Sequence, residues 1–227
     1  MKAIILAAGE GRRMRPLTLT TPQPLLEIQG KKIIDYVFDA LPDEVDEVIV
    51  TVKHLAEKIK SYLGESHKGR KVRYVQGSEQ GSAIGLLACQ EFLQDGERFF
   101  ILHGDEPQRK AELTKCLKHQ YSWVCSYVPK LHPTGVATIA PDGKILEVAE
   151  RPEHPQSNWS AMGTILVDAN IFKYSPVAHV SGEYPLSPLL NQFVKDHQVF
   201  MVEGKLRPPL TSLDDLNWDM KDFQESK

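Results

Sequence analysis

Cysteine is scarce, since the 227-residue chain contains only Cys89, Cys116 and Cys125. An odd number of thiols without metal-ligand spacing argues against a disulfide framework and favours buried free thiols in a reducing compartment. Long apolar runs are missing too, because no stretch approaches the ~20 residues of a membrane-spanning helix. The short apolar run at residues 3–8 is followed by positive charge, the reverse of an export signal. We therefore expect a cytoplasmic protein with no membrane partner.

A basic excess is absent as well. The chain has 27 Lys and Arg against 30 Asp and Glu, which gives a net charge of -3 and a pI near 6.2. This balance provides no general attraction for phosphate polymers, so nucleic acid is not an expected partner. Hydrophobic residues make up 41% of the chain, enough for a core, and no repeat or linker interrupts it. We expect a single domain over residues 1–227.

Apolar runs of strand length alternate with segments of helical periodicity in the first half of the chain. Strands are predicted at residues 2–8, 47–52, 71–76 and 98–102, and helices at 31–41, 54–63 and 82–93. The alternation predicts an α/β fold with a parallel, doubly wound, Rossmann-like sheet over about residues 1–121. Short strands at 123–128, 135–139 and 144–148, and closing helices at 186–197 and 212–223, predict an antiparallel addition from residue 122 onward.

A glycine-rich loop follows the first strand, where open sheets of this kind bind ligands. Gly9 and Gly11 let the backbone curl closely, so that its N–H groups form an anion nest, and three arginines behind them add charge. The loop lacks the Lys-Ser/Thr ending of a Walker motif and the third glycine of the dinucleotide fingerprint. An NAD-dependent oxidoreductase is therefore disfavoured. A Gly-x-Gly pair alone is also compatible with an ordinary tight turn.

The pair does not stand alone, because Leu6 to Thr18 (LAAGEGRRMRPLT) is followed by Thr21 to Leu25 (TPQPL). This run resembles the signature of the sugar-1-phosphate nucleotidyltransferases, such as glucose-1-phosphate thymidylyltransferase and mannose-1-phosphate guanylyltransferase. The resemblance implies the nucleotide-diphospho-sugar transferase fold and a reaction that joins an NTP to a sugar 1-phosphate and releases pyrophosphate. The nucleotide-binding residues that it implies in this run are Leu6, Ala8, Gly9, Gly11 and Arg13. Gly9, Gly11 and the loop amides would hold the triphosphate, and Arg13 would contact the departing pyrophosphate.

Two further segments resemble the family's nucleotide side. Gln76 to Ala83 (QGSEQGSA) is similar to its base-binding element, which implies that Gln76 reads the base and Gly81 admits the ribose. A serine N-cap after a loop glycine is the structural alternative. The strand at 98–102 leads into Asp105, which the resemblance makes a Mg²⁺ ligand, with Glu106 as a neighbouring candidate. Magnesium prefers carboxylate and phosphate oxygens, although an aspartate at a strand end is by itself more often a cap.

On the acceptor side, Pro133 to Ala137, Glu147 to Pro152 and Ser160 to Gly163 resemble the elements that line the family's sugar-phosphate pocket. The acceptor-binding residues that the resemblance implies are Gly135, Glu150, Arg151 and Gly163. Glu150 would accept hydrogen bonds from hydroxyl groups, and Arg151 stands where relatives have lysine. Neither the base nor the acceptor is defined: glucose, mannose, heptose or a non-sugar phosphate such as phosphocholine all remain open.

The sequence departs from the family pattern at two charged positions. Gln23 replaces the lysine of the T-P-K-P-L element, and Pro209 stands where relatives carry the aspartate that is the second metal ligand. Asp214 would replace that ligand only if its loop were displaced, and we do not expect this. Two alternatives follow: an enzyme with Arg13, Gln23 and Asp105 in its catalytic site, or a degenerate homologue that binds nucleotide and regulates a partner. Because related enzymes are often oligomeric, a homo-oligomer is also an expectation.

Overall fold

The computed structural model describes residues 1–129, 135–208, 210 and 212–221. The strands are β1 Lys2–Leu6, β2 Glu27–Ile28, β3 Lys31–Lys32, β4 Glu47–Val52, β5 Ser66–His67, β6 Arg70–Gln76, β7 Arg98–His103, β8 Tyr121–Tyr127, β9 Gly135–Ile139, β10 Ile145–Glu150, β11 Trp159–Asp168 and β12 Val199–Glu203. The helices are α1 Ile33–Ala40, α2 Ala56–Leu63, α3 Ser82–Leu87, α4 Lys110–Cys116 and α5 Leu186–Asp196. Pro133 and Pro209 lie outside the described residues.

Four parallel strands form the centre of a ten-stranded mixed sheet. Its main path has the order β10-β9-β11-β7-β1-β4-β6-β5, and β8 and β12 lie off this path, with β8 paired to β11 and β12. Leu6, the last residue of β1, pairs with Thr51 of β4 on one side and with His103 of β7 on the other. The carboxyl ends of these strands therefore lie at the same edge of the sheet. This arrangement confirms the predicted α/β fold and brings together the loops that follow β1 and β7.

The second half of the chain extends the same sheet. β11 runs antiparallel to β7, β8 and β9, and β9 pairs antiparallel with β10. β12 lies parallel to β8, so the addition is mixed rather than wholly antiparallel. The predicted nucleotide and acceptor parts thus share one continuous sheet.

Helices cover both faces of the sheet, as a doubly wound fold requires. On one face α1, α2 and α4 bury Phe38, Ile59 and Leu113 against β1 and β4. On the other, α3 and α5 bury Leu86 and Phe193 against β7, β8 and β11. Successive residues of a strand point to opposite faces, and this is why the buried strands read as continuous apolar runs.

Several predicted elements have different bounds. The helix predicted at 82–93 ends at Leu87, and a 3-10 turn follows at Gln90–Phe92. In place of the helix predicted at 212–223 there is a 3-10 turn at Leu213–Asn217, with a capping box at Ser212, and the end of the range lies outside the described residues. The pattern also missed α4, β11 and β12. These are short and partly charged, or interrupted by glycine as β11 is at Gly163, so their periodicity is weak.

The three thiols are unpaired and buried, as predicted. Burial raises the pKa of Cys89 and Cys116 to about 12. In the part of the chain that the structure describes, no helix has the length and apolar character needed to cross a bilayer.

Candidate active site

The glycine-rich loop leaves β1 and lines a cavity of about 840 Å³ at the carboxyl edge of the sheet. Leu6, Ala8, Gly9 and Gly11, four of the residues predicted to bind nucleotide, all line this cavity. A Cβ atom on Gly9 would meet nothing within 4 Å, so this part of the backbone faces open space. Approach of a ligand to its main chain is therefore unobstructed.

Gly11 closes the loop by a tight contact. Its φ of +60° suits glycine, and a Cβ there would lie 2.7 Å from Gln23 Oε1 and 2.8 Å from Thr18 Cγ2. Thr18 donates a hydrogen bond from Oγ1 to the Gly11 carbonyl at 2.8 Å. Gln23 is buried at 6% exposure, yet it lines the cavity. Gln23 stands where the family has lysine, so the cavity receives a neutral amide at this position instead of a positive charge.

The three arginines of the loop differ in their partners. Arg12 Nε donates to Glu10 Oε2 at 2.7 Å, and Arg15 Nη2 donates to the same oxygen at 3.0 Å. The hydrogen bond from Arg12 lowers the pKa of the Glu10 carboxyl. Arg13 also lines the cavity, and among the described residues it has no hydrogen bond or ion pair. Arg13 is thus the cation of this loop that remains available to a ligand.

The loop after β7 brings Asp105 to the same cavity. Gly104 N donates to the Leu6 carbonyl at 2.9 Å, which joins this loop to the end of β1. Burial raises the pKa of the Asp105 carboxyl, against the opposing effects of His103 and Arg13. An aspartate whose negative charge is incompletely compensated is suited to a cation. His103 lines the cavity together with Asp105.

The carboxylate of Glu106 lies close enough to Asp105 to affect its pKa, but it is already engaged by other groups. Glu106 accepts from Gly163 N and binds Arg207, so its oxygens are engaged. Asp214 is exposed in the last 3-10 turn and does not line the cavity. Within the described ranges, no cluster of three or more His, Cys, Asp or Glu side chains could hold a metal. Magnesium commonly takes one or two protein carboxylates and completes its coordination with substrate phosphates and water, a donor set that Asp105 fits.

Only part of the predicted base-binding element lines the cavity. Gln76 is exposed at the end of β6 and does not line the cavity, whereas Ser78, Glu79 and Gly81 do. Gly81 has a φ of +123°, and a Cβ there would lie 2.4 Å from the Tyr184 carbonyl oxygen. The backbone of Tyr184 therefore requires glycine at this position, independently of the ribose contact predicted for Gly81.

A second cavity of about 210 Å³ adjoins the first and contains part of the predicted acceptor site. Glu150 and Arg151 line it, and Arg151 Nε lies 3.2 Å from Glu150 Oε1. Arg151 has a φ of +45°, a strained conformation for a side chain with a Cβ, and it lines both cavities. Gly135 and Gly163 do not line either one. A Cβ on Gly163 would lie 2.5 Å from His103 Cγ, so this glycine serves the packing of His103.

Sequence reasoning missed several residues of the smaller cavity, among them Trp123 and Glu183. Glu183 reaches it because Tyr184 N donates to the Gln80 carbonyl at 2.6 Å and Ala83 N donates to the Tyr184 carbonyl at 3.0 Å. These bonds dock a distant loop beside α3. No local spacing in the sequence signals such a contact.

Two relatives resemble most of this chain in sequence. The chain is 31% identical over 202 residues to the bifunctional protein GlmU of Methanocaldococcus jannaschii, a match that covers 88% of this chain and 48% of that one. It is 29% identical to the UTP–glucose-1-phosphate uridylyltransferase AglF of Haloferax volcanii, covering 86% and 84% of the two chains. The chain thus spans about half the length of the GlmU relative and most of AglF.

The fold has a solved counterpart. A Bacillus anthracis protein provisionally named glucose-1-phosphate thymidylyltransferase, crystallised with sucrose, superposes with a TM-score of 0.83 at 24% identity, covering 95% of this chain and 92% of that one. The family model described as nucleotidyl transferase matches residues 2–202. That match includes the glycine-rich loop, Asp105 and both cavities. The chain belongs to the nucleotidyl transferase family.

Proposed function

We propose that this protein transfers a nucleoside monophosphate from an NTP to a sugar 1-phosphate and releases pyrophosphate. The observation that carries the proposal is the junction of the two cavities. His103 and Arg151 line both of them, the larger opens onto the glycine-rich loop, and the smaller onto Glu150. Two phosphorylated ligands bound in the two cavities would meet at this junction.

The larger cavity suits the triphosphate. Gly9 leaves the main chain open to a close approach, and Arg13 is free to pair with the β- and γ-phosphates. Asp105 is the residue that would hold Mg²⁺, which when bound would neutralise negative charge on the nucleotide's phosphates. The base would then lie toward Ser78 and Gly81, with Gln76 reaching it from the exposed end of β6.

The chemistry needs little beyond placement and charge. An oxygen of the acceptor phosphate attacks the α-phosphorus, a new P–O bond forms, and the bond from that phosphorus to the bridging oxygen of pyrophosphate breaks. The electron pair of the broken bond leaves with pyrophosphate, on which Arg13 stabilises it. Arg151 counters the repulsion between the two anions by contacting the acceptor phosphate. Holding both reactants in line supplies most of the rate enhancement.

The smaller cavity favours a compact sugar as the acceptor. Glu150 can accept hydrogen bonds from hydroxyl groups, while its contact with Arg151 keeps the guanidinium near the junction of the cavities. AglF is named for glucose 1-phosphate, and we extend that substrate class to this chain. We also propose that the protein works in the cytoplasm, because its three thiols are free. The homo-oligomer expected from the sequence stays a prediction.

The test is pyrophosphate release from UTP, dTTP, GTP, CTP and ATP, each paired with glucose, mannose and N-acetylglucosamine 1-phosphates in the presence of Mg²⁺. Wild type should turn over with a preferred pair, and Asp105→Asn should lose at least about 10²-fold in rate. Asp142→Asn is the matched control, since Asp142 lies in an exposed turn and pairs with Lys144. Nucleotide binding without any pyrophosphate would favour the regulatory homologue instead.

A further inference from the structure

A buried ionic cluster includes Glu106, the residue that follows Asp105 in the chain. Arg207, which is 3% exposed, binds Glu106 through Nη1 and Glu112 through Nη2. Nη1 also lies 3.0 Å from both Gln108 Oε1 and Thr164 Oγ1. The cluster therefore joins the loop after β7, helix α4, strand β11 and the segment that follows β12. Burial disfavours the charge of Arg207, but Glu106 and Glu112 raise the pKa of its guanidinium.

The cluster meets β11 where its pairing is irregular. β11 pairs with β8 through Ala161 and resumes at Ile165, and the register shifts between these two residues. Side chains take over the main-chain bonds in the gap. Both carboxylate oxygens of Glu106 accept from Gly163 N at 3.1 Å, and Trp123 Nε1 donates to the Met162 carbonyl at 2.7 Å.

This irregular segment borders the proposed active site. Ala161 and Met162 line the smaller cavity, and Gly163 packs against His103, which lines both cavities. Bulges of this kind re-aim side chains beside active sites. Their backbone groups still need partners when buried, and a lost partner costs about as much as a hydrogen bond. The position of the segment therefore depends on the orientation of the Glu106 carboxylate.

We propose that Arg207 is a positioning residue of the acceptor pocket. It orients Glu106, and Glu106 fixes the segment at Met162 and Gly163 against the loop that carries Asp105. Arg207 itself does not line either cavity. This proposal rests on the proposed function, because the pocket that it shapes is the one assigned to the sugar 1-phosphate.

The two carboxylates on Arg207 provide a matched pair of variants. Glu106→Ala and Glu112→Ala each leave the buried guanidinium with one carboxylate, but only Glu106→Ala frees the Gly163 N–H; Glu112 instead accepts from Lys205 N at 2.9 Å. We expect Glu106→Ala to raise the KM for the acceptor about tenfold, the equivalent of one hydrogen bond. The KM for the NTP should stay within about threefold. Glu112→Ala should change the acceptor KM by no more than about twofold.

A further variant separates an effect on stability from an effect on the acceptor pocket. Glu106→Ala combined with Glu112→Ala and Arg207→Met removes all three charged groups of the cluster, so none of them is left buried without its partner, but the bond to Gly163 is not restored. It should therefore keep the raised acceptor KM. Hydrogen exchange at the Gly163 amide should be fast in both Glu106 variants and slow in Glu112→Ala, whereas Arg207→Lys should recover part of the acceptor KM relative to Arg207→Met.

The outcomes separate the two proposals. A wild type that releases no pyrophosphate from any substrate pair overturns both. A wild type that turns over, with equal acceptor KM values for Glu106→Ala and Glu112→Ala, overturns only the role of Arg207. An acceptor KM that returns to the wild-type value in the triple variant does the same, since the effect would then be one of stability.

Discussion

A Cβ atom on Gly11 would lie 2.7 Å from Gln23 Oε1, so the glycine-rich loop closes directly on the side chain that stands in the lysine position. Gln23 is buried there and faces the cavity without charge. A lysine would bring a cation to this wall of the cavity, where the triphosphate is proposed to bind. Position 23 is therefore the site at which a substitution to lysine is expected to raise turnover.

Gln23→Lys should raise kcat by about tenfold or more, because one transition-state donor is worth about 10² to 10³ in rate. Gln23→Met, of similar length and without charge, is the control and should not gain. Steady-state pyrophosphate release measures both. Equal or lower kcat in the lysine variant would show that a neutral side chain suffices at this position.

Arg13→Ala should lower kcat/KM for the NTP by about 10² to 10³, since Arg13 is the proposed contact to pyrophosphate. Arg12→Ala should have a much smaller effect, because Glu10 already holds that guanidinium at 2.7 Å. The two variants remove the same charge from neighbouring positions. Similar losses in both variants would mean that the loop acts through its net charge rather than through the Arg13 guanidinium.

Alanine substitutions at the two loop glycines should have different effects: one on nucleotide binding and the other on stability. Gly9→Ala meets no atom within 4 Å, so it should fold normally and raise the KM for the NTP several-fold by placing a methyl group in the cavity. Gly11→Ala should lower the free energy of unfolding by about 1 to 2 kcal/mol, because alanine is strained at a positive φ. Urea unfolding and NTP kinetics measure the two effects. An unchanged KM for the NTP in Gly9→Ala would show that the nucleotide does not bind against Gly9.

Asp105→Asn should raise the melting temperature at neutral pH in the absence of Mg²⁺. Burial raises the pKa of this carboxyl, so its ionisation costs stability in the folded state, and wild type loses stability as pH rises through that pKa. The advantage of the variant should disappear below about pH 4, where the carboxyl is protonated in both states. Thermal unfolding between about pH 3.5 and 8 tests the sign. A variant less stable than wild type at neutral pH would indicate a compensated carboxylate.

The sequence predicted those parts of the site that are encoded locally. The run from Leu6 to Gly11 shows a buried strand and the loop that must follow it, and the parallel order of β1 and β7 then brings Asp105 beside that loop. Physical adjacency of strand ends is a general property of doubly wound sheets. For this reason the motif positions at Gly9, Arg13 and Asp105 line one cavity.

What escaped prediction depends on contacts between distant segments. Glu183 lines both cavities because Tyr184 N donates to the Gln80 carbonyl, and neither Glu183 nor Tyr184 belongs to a motif. Glu106 looked like a metal ligand in the sequence, but Arg207, 101 positions away, engages it. Conversely, Gly163 matches a motif for an acceptor site and is explained by its contact with His103. Sequence spacing identifies a residue type, whereas its partner is decided by packing.

The most direct test of the account follows the α-phosphorus. Wild type is incubated with Mg²⁺, glucose 1-phosphate and an NTP labelled at the α-phosphate, with UTP and dTTP first. We expect the label in a nucleotide sugar, in equal amount to the pyrophosphate released and only when acceptor is present. Label that remains in the NTP, or that appears in a nucleoside diphosphate because the γ-phosphate was lost, would contradict transfer at the α-phosphorus.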